Sequence, residues 1–156
     1  MNEPSTATDE QKLHRKLAAK FFNETWDLLE KPNRTAEEDA RMVHLAHASR
    51  LHWEFVGTAK NLSVGEWQVS RVHAVLCQGE AALFHAERCL AIAEAGELAP
   101  FQMAYAHEAM ARALLLTKSP QAVAHLEQAR KFAEQVTDLG DKKLIDDDLT
   151  ALGQPS

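Results

Sequence analysis

The chain has 156 residues, of which 46% are hydrophobic and 26% charged, and 23 acidic against 17 basic side chains give a net charge of −6. This length and apolar content predict one globular domain, and the acidic balance argues against nucleic acid and anionic membranes as partners. Because 26 alanines face only ten Val and Ile, the composition excludes all-β and doubly wound α/β folds and predicts an all-α protein.

Helix starts and stops are marked along the whole chain. Three segments match the capping box, in which a hydroxyl and an acid or amide satisfy unpaired N–H groups: Thr8-x-x-Gln11, Thr35-x-x-Glu38 and Ser63-x-x-Glu66. Proline after Ser119 and at position 100 is typical of a first helical turn. Three glycines are expected to end helices in a left-handed conformation: Gly57, Gly96 and Gly140. The predicted helices span 8–31, 35–56, 63–78, 80–95, 100–117, 120–137 and 141–152.

Short connections between these helices predict antiparallel hairpins within a single domain, 1–156. The expected order is a flexible N-terminus at 1–7, a first hairpin at 8–56, repeat-like hairpins at 63–95 and 100–137, a capping helix at 141–152 and a tail at 153–156.

An internal repeat links the predicted hairpins. Small apolar residues recur 36 or 37 positions later, in the pairs Ala74/Ala111, Ala86/Ala122, Leu90/Leu126 and Ala93/Ala129. A period in the mid-thirties with two helices per unit indicates stacked hairpins. Within the first unit, Ala74, Ala86, Leu90 and Ala93 follow one another at spacings of 12, 4 and 3 residues. These spacings resemble the tetratricopeptide repeat over 64–136 and, in degenerate form, over 8–56.

This chain departs from the tetratricopeptide pattern because the family's Gly, Tyr and closing Pro are missing at the expected places. A plain helical bundle with coincidental alanine spacing is therefore the alternative. The runs HASR at 47–50 and EWQVSR at 66–71 also resemble segments of small uncharacterised bacterial cytosolic proteins, a likeness that implies no activity.

The fifth predicted helix has an aromatic and charged face. On it, Glu108 and Arg112 are four residues apart with the acid first, which is the favourable order for an ion pair. The repeat register matches Arg71 of the third helix with Glu108. In the tetratricopeptide family the first helix of each hairpin lines a groove, so the resemblance implies a groove formed by Trp67, Arg71, Tyr105, Glu108 and Arg112.

Three roles are open for these residues. The arginines could clamp a carboxylate while the aromatic rings cover an apolar group, which would make the protein a protein- or peptide-interaction module or a receptor for a small acidic ligand. Alternatively, Arg71 and Arg112 share Glu108, together with His47, in a buried polar network that locks the third and fifth helices together. A structural homodimer that buries the Phe and Tyr side chains of the fifth helix is the remaining alternative.

Eight histidines raise the question of a metal site. His44, His47 and His52 share one predicted helix, but His52 lies far round it from the other two, and the sequence contains neither HExxH nor Glu-x-x-His. We therefore expect no metal and no cofactor, with His47 as a hydrogen-bonded core histidine. The alternative is a metal-binding or hydrolytic protein built around His47, His52, Arg71 and Glu108.

Other features favour a cytoplasmic binding protein over an enzyme. The sequence has no nucleophile elbow, oxyanion-hole motif or glycine-rich phosphate loop. Cys77 and Cys89 form no CxxC and are expected to be buried thiols. Residues 1–10 lack the apolar segment of a signal peptide, and no apolar run approaches the roughly 18 residues of a membrane-spanning helix.

Overall fold

The computed structural model describes residues 6–154, and within this range the regular structure is entirely α-helical. The helices are α1 (Asp9–Glu30), α2 (Ala36–Val56), α3 (Ala59–Val75), α4 (Gly79–Ala95), α5 (Pro100–Leu116), α6 (Ala122–Glu134) and α7 (Leu139–Leu152). The predicted all-α class and the order of its seven helices are confirmed for the described residues. Of the predicted flexible N-terminus and tail, residues 1–5 and 155–156 lie outside this range.

Two of the three predicted capping boxes start helices. At α1, Thr8 Oγ1 accepts a hydrogen bond from the Gln11 amide at 3.1 Å, and the Gln11 side chain accepts one from the Thr8 amide at 2.9 Å. Thr35 and Glu38 make the same pair of bonds at the start of α2. Local hydrogen bonding alone accounts for both starts, because each box satisfies two unpaired N–H groups.

The third predicted box is wrong. α3 begins four residues earlier, at Ala59, and the Thr58 amide donates to Asn61 Oδ1 at 3.0 Å. Ser63 is instead buried inside α3, where its hydroxyl donates to the Cys89 carbonyl of α4 at 3.2 Å. Because Thr58 and Asn61 already cap the helix, Ser63 is free to bond across the hairpin.

The glycine prediction is wrong about the left-handed conformation and about Gly140, and right about the ends of two helices. No described glycine has a positive φ, whereas four other residues do: Asn33, Cys77, Glu97 and Lys118. Gly57 and Gly96 do end α2 and α4, with φ of −88° and −84°, but Gly140 lies in the first turn of α7. At the end of α4, the Leu98 amide bonds the Ala93 carbonyl at 3.0 Å across the left-handed residue, which is Schellman geometry.

The helices pack as three successive hairpins, α1/α2, α3/α4 and α5/α6, and α7 covers the last of them. The odd-numbered helices also contact one another in sequence, α1 with α3, α3 with α5 and α5 with α7. The alanines of the internal repeat are all buried, as predicted for positions of close helix contact: Ala74, Ala86, Ala93, Ala111, Ala122 and Ala129. Within residues 6–154, every helix is too short or too polar to cross a lipid bilayer.

Candidate binding groove

A groove runs across the odd-numbered helices. Its cavity has a volume of about 400 Å³ and is lined mainly by large apolar side chains, among them Phe22, Trp26, Trp67, Phe101, Tyr105 and Leu144. In the described chain no Cα of α1 lies within 8 Å of α7, so the groove is open between these two helices. A cavity of this size with a few polar groups has the usual dimensions of a ligand site.

A second cavity continues the groove between α1 and α3. It has a volume of about 220 Å³, and Phe22 and Val64 form part of the wall of both cavities. Asn23, Lys60 and Asn61 lie on its wall, so this end is more polar than the larger cavity. The two cavities adjoin at the side chains of Phe22 and Val64.

A buried acid, Glu108, lies behind the wall of the groove with 0% of its surface exposed. One carboxylate oxygen accepts from Trp67 Nε1 at 2.9 Å, and the other accepts from Arg112 Nε at 2.8 Å and from Nη2 of the same guanidinium group. Arg71 Nη1 lies 3.8 Å from this second oxygen. The charge of Glu108 is therefore compensated by two arginines and an indole N–H, as a buried carboxylate requires.

Arg71 connects this acid to α7. Its Nη1 lies 4.0 Å from Asp148 Oδ1 and has no hydrogen-bond acceptor within residues 6–154. Its guanidinium carbon lies 5.9 Å from the centroid of the Trp67 ring, a cation–π distance. Asp148 also accepts from the Tyr105 hydroxyl at 2.8 Å. Two guanidinium groups and two carboxylates thus form one cluster across α3, α5 and α7.

We call Trp67, Arg71, Tyr105, Glu108, Arg112 and Asp148 the polar cluster. Burial, followed by the charge of Arg112, lowers the pKa of Arg71, and burial with the bond to Asp148 raises the pKa of Tyr105. Tyr105 is therefore a neutral donor at physiological pH. The formal charges of the cluster cancel, because each guanidinium group faces a carboxylate of the chain itself.

The structure brings together the five residues predicted for the groove, but in unequal positions. Trp67 and Tyr105 line the cavity, whereas Arg71, Glu108 and Arg112 lie behind its wall. Arg112 donates to Glu108 through two nitrogens of its guanidinium group, so this pair of donors is already in use. Arg112 is therefore already engaged within the chain, whereas Arg71 Nη1 keeps no acceptor within residues 6–154. Apart from His47, the contacts are those of the alternative network between the third and fifth helices.

The predicted placement of His47 is wrong. Its side chain is exposed and lies against His73 and His85, with 3.3 Å between His47 Nε2 and His73 Nε2. It takes no part in the polar cluster, because His73 and Arg71 are two residues apart on α3 and therefore point to opposite sides of it.

His52 belongs to a different contact, with 2.8 Å between its Nδ1 and that of His14 on α1. The alternative active centre built from His47, His52, Arg71 and Glu108 is therefore not assembled. These four residues lie in three separate places, between α2 and α4, between α1 and α2, and between α3 and α5.

Sequence reasoning missed both ends of the groove. Phe22 and Trp26 of α1 line one side of it. Asp148 of α7 also lines it and joins the polar cluster through Tyr105. The spacing of four between Phe22 and Trp26 indicates one helix face, but nothing local tells which neighbour that face meets.

The two cysteines differ from each other. Cys89 is buried as expected, lines the groove, and burial raises the pKa of its thiol to about 12. Cys77 is exposed in the left-handed turn after α3, so the expectation of a buried thiol there is wrong. A thiol with the raised pKa of Cys89 stays protonated at neutral pH and is a poor nucleophile.

Comparison with protein-family models, curated proteins and solved structures finds no match to this chain. The assignment of function therefore depends on the residues and their geometry.

Proposed function

We propose that the protein is a binding module of the tetratricopeptide type, whose groove takes an extended peptide segment carrying large apolar side chains. The observation that supports this most directly is the shared wall of the two cavities at Phe22 and Val64. Two adjoining cavities suit a chain-like occupant, which can place one side chain in each, better than a compact one. Its larger part offers aromatic walls to apolar side chains, whose burial supplies the affinity.

Amide side chains support a peptide occupant in particular. Gln102 lies on the wall of the larger cavity and Asn23 on that of the smaller one. Each amide offers both a donor and an acceptor, which matches the N–H and C=O groups of an extended backbone. A small acidic ligand is less favoured, because the arginines of the polar cluster already face Glu108 and Asp148.

Binding is favoured over catalysis by the state of the nucleophilic groups in the groove. The Ser63 hydroxyl donates to a backbone carbonyl, and the Cys89 thiol is protonated at neutral pH. A homodimer through the aromatic residues of α5 is less favoured, since Phe101 and Tyr105 pack within the chain against the core that α7 shares. A cytoplasmic location stays a prediction from sequence.

A matched pair of variants on α7 tests the proposal. Leu144 lines the groove and is 58% exposed, whereas Leu139 is 84% exposed and lies outside the groove. Peptides selected from a random library on the wild-type protein would be measured by calorimetry against both variants. We expect Leu144→Glu to weaken binding at least about tenfold, since a carboxylate would replace an apolar contact, and Leu139→Glu to bind like the wild type.

Equal affinity of the selected peptides for both variants would contradict the groove as their site. Selection of no peptide, or of peptides without large apolar residues, would contradict the peptide assignment. Sedimentation of the wild type and of Leu144→Glu would separate out the remaining alternative: a dimer that dissociates in the variant would assign the groove to a second copy of the chain.

A further inference from the structure

Three histidines from three helices meet on the side of α3 away from the polar cluster. One ring nitrogen each of His47 (α2), His73 (α3) and His85 (α4) lies within 4.8 Å of the other two. We call these residues the histidine cluster. The rings of His73 and His85 are parallel, within 5° of each other, and the His47 ring stands at 74° to that of His85.

We propose that the histidine cluster binds one Zn²⁺ ion, or a similar first-row divalent cation, through three imidazole nitrogens. Three points separated by up to 4.8 Å have a common centre at most about 2.8 Å from each, while Zn–N bonds measure ~2.0–2.1 Å. Shifts of under about 1 Å in the side chains would complete the site. Imidazole ligands select zinc, copper, nickel or cobalt rather than magnesium or calcium.

The distance between His47 and His73 already fits such a site. Their Nε2 atoms are 3.3 Å apart, and two nitrogens on a tetrahedral zinc ion are about 3.3–3.4 Å apart for ~2.0–2.1 Å bonds.

Hydrogen bonds to the second ring nitrogens prepare two of these histidines as ligands. His85 Nδ1 donates to Glu66 Oε2 at 2.7 Å, and His73 Nδ1 donates to Gln78 Oε1 at 2.6 Å. Because each Nδ1 carries the proton, each Nε2 carries a lone pair. Coordination through Nε2 would keep both bonds, an arrangement that orients histidine ligands and increases their basicity in metal sites.

Glu66 holds this arrangement in place from α3. It is 3% exposed, and besides His85 it accepts from Arg50 Nε at 3.1 Å and from Arg88 Nε at 3.0 Å. Arg50 also pairs with Glu54 at 3.2 Å. Two acids and two arginines therefore cancel in formal charge around the histidines, and an arriving cation meets no net positive field from these four groups.

The site would be accessible and incomplete. Within residues 6–154 no fourth histidine, cysteine or acid meets the same distance condition, so a solvent molecule would take the fourth position. A surface cavity of about 340 Å³ lined by His47 and His85 gives a route of entry. Three histidines with an open position is the ligand pattern of exchangeable or catalytic zinc rather than of closed structural sites.

A metal would also add a cross-link that the helices lack. No Cα of α2 lies within 8 Å of α4 in the described chain, although the rings of His47 and His85 are 5.2 Å apart. An ion held by both would join the second helices of the first two hairpins. Since this bond forms only in the folded state, binding would raise the melting temperature.

The test is calorimetric titration of ZnCl₂ into tag-free protein stripped of metal with a chelator, with the melting temperature measured before and after. We expect one ion per chain. His47→Gln, at an exposed position that should fold normally, is expected to weaken binding at least about tenfold. Gln78→Leu is expected to weaken it about tenfold by freeing the ring of His73. His14→Gln serves as the matched control, because it removes a histidine from the separate pair with His52.

Each outcome bears on the proposal. Loss of binding and of the thermal shift in His47→Gln, with both retained in His14→Gln, would support it, as would a visible spectrum of four-coordinate Co²⁺ that disappears in the same variant. Absence of stoichiometric Zn²⁺ binding would overturn it. So would binding that survives in both His47→Gln and His85→Gln, or that falls equally in His14→Gln. Circular dichroism of the metal-free variants would show that each is folded.

Discussion

The polar cluster and the histidine cluster are both assembled from ionisable side chains, on opposite sides of α3, but they differ in how their groups are satisfied. In the polar cluster the charges are matched within the chain, and Trp67 and Arg112 donate to Glu108, although Arg71 Nη1 has no acceptor within residues 6–154. In the histidine cluster the protonated Nδ1 atoms of His73 and His85 donate to Gln78 and Glu66. This leaves a lone pair on the Nε2 atom of each of these two rings. The first arrangement is neutral without any added ion, whereas a cation would complete the second.

The comparison shows how ionisable groups can be sorted by complementarity rather than by burial. A set with matched charges needs no further partner, even when a groove lies beside it. A group of histidines whose unprotonated nitrogens lie close together does need a further partner, even at an exposed position such as His47. Three changes test this distinction, taken from the largest expected effect to the smallest.

Removing the central acid of the polar cluster should have the largest effect. Glu108→Ala would leave the Arg112 guanidinium and the Trp67 indole without their shared acceptor and would remove a negative charge beside Arg71. Breaking a buried network by deleting one partner costs about 3–5 kcal/mol. Urea denaturation would measure this loss of stability. Glu127→Ala, at an exposed position of α6, is the control and should change stability by under about 0.5 kcal/mol. A loss of less than about 1 kcal/mol in Glu108→Ala would contradict the role of this acid.

A buried contact between two other histidines should make the stability of the protein depend on pH. His107 is buried beside His125 with 3.0 Å between their Nδ1 atoms, and burial, then the charge of His125, lowers the pKa of His107 to about 4. In the unfolded chain this histidine takes up its proton near pH ~6.5. Between the unfolded and the folded pKa the unfolded state therefore binds more protons, and the free energy of unfolding decreases as the pH is lowered.

We therefore expect the wild type to lose about 2–3 kcal/mol more stability than His107→Gln between pH 7 and about 4.5. Denaturation at a series of pH values would measure the difference. His44→Gln, at an exposed position, should retain the full pH dependence. Parallel curves for the wild type and His107→Gln would show that this histidine is not the origin of the effect.

Removing a member of the histidine cluster should have the smallest effect on the metal-free protein. His47→Gln changes an exposed side chain, so its free energy of unfolding without metal should lie within about 0.5 kcal/mol of the wild type. The contrast with Glu108→Ala follows from the comparison above, since this cluster would contribute stability only with its ion. If metal-free His47→Gln lost more than about 1 kcal/mol, the cluster would be an architectural element like the polar cluster.

The helices themselves were predictable because their signals are local. Thr8 and Thr35 cap helices through bonds that span three residues, and such bonds can be read from neighbouring side chains. The same kind of signal misled at Ser63, which fits the pattern but bonds across a hairpin instead. Gly140 misled for a similar reason, because Asp138 caps α7 two residues before it.

The candidate sites were predictable only where the repeat supplied a register. The internal repeat matched Arg71 of the third helix with Glu108 of the fifth, and these two side chains do lie close together. The i,i+4 spacing predicted the contact of Glu108 with Arg112. The repeat pairs no residue of α1 or α7 with a residue of the groove, so Phe22 and Asp148 were missed. The histidine cluster left no trace in local spacing, since His73 lies 26 residues after His47.

The sequence by itself determined an all-α chain of hairpins whose repeated alanines are buried, because helix formation, capping and close packing of small residues depend on neighbours three to four positions apart. Only the tertiary structure decided which polar residues meet. Two residues on α3, Arg71 and His73, point to opposite sides and so enter different clusters, each completed by side chains distant in sequence. A shared helix fixes the directions of its side chains, but the packing of the other helices fixes what each direction encounters.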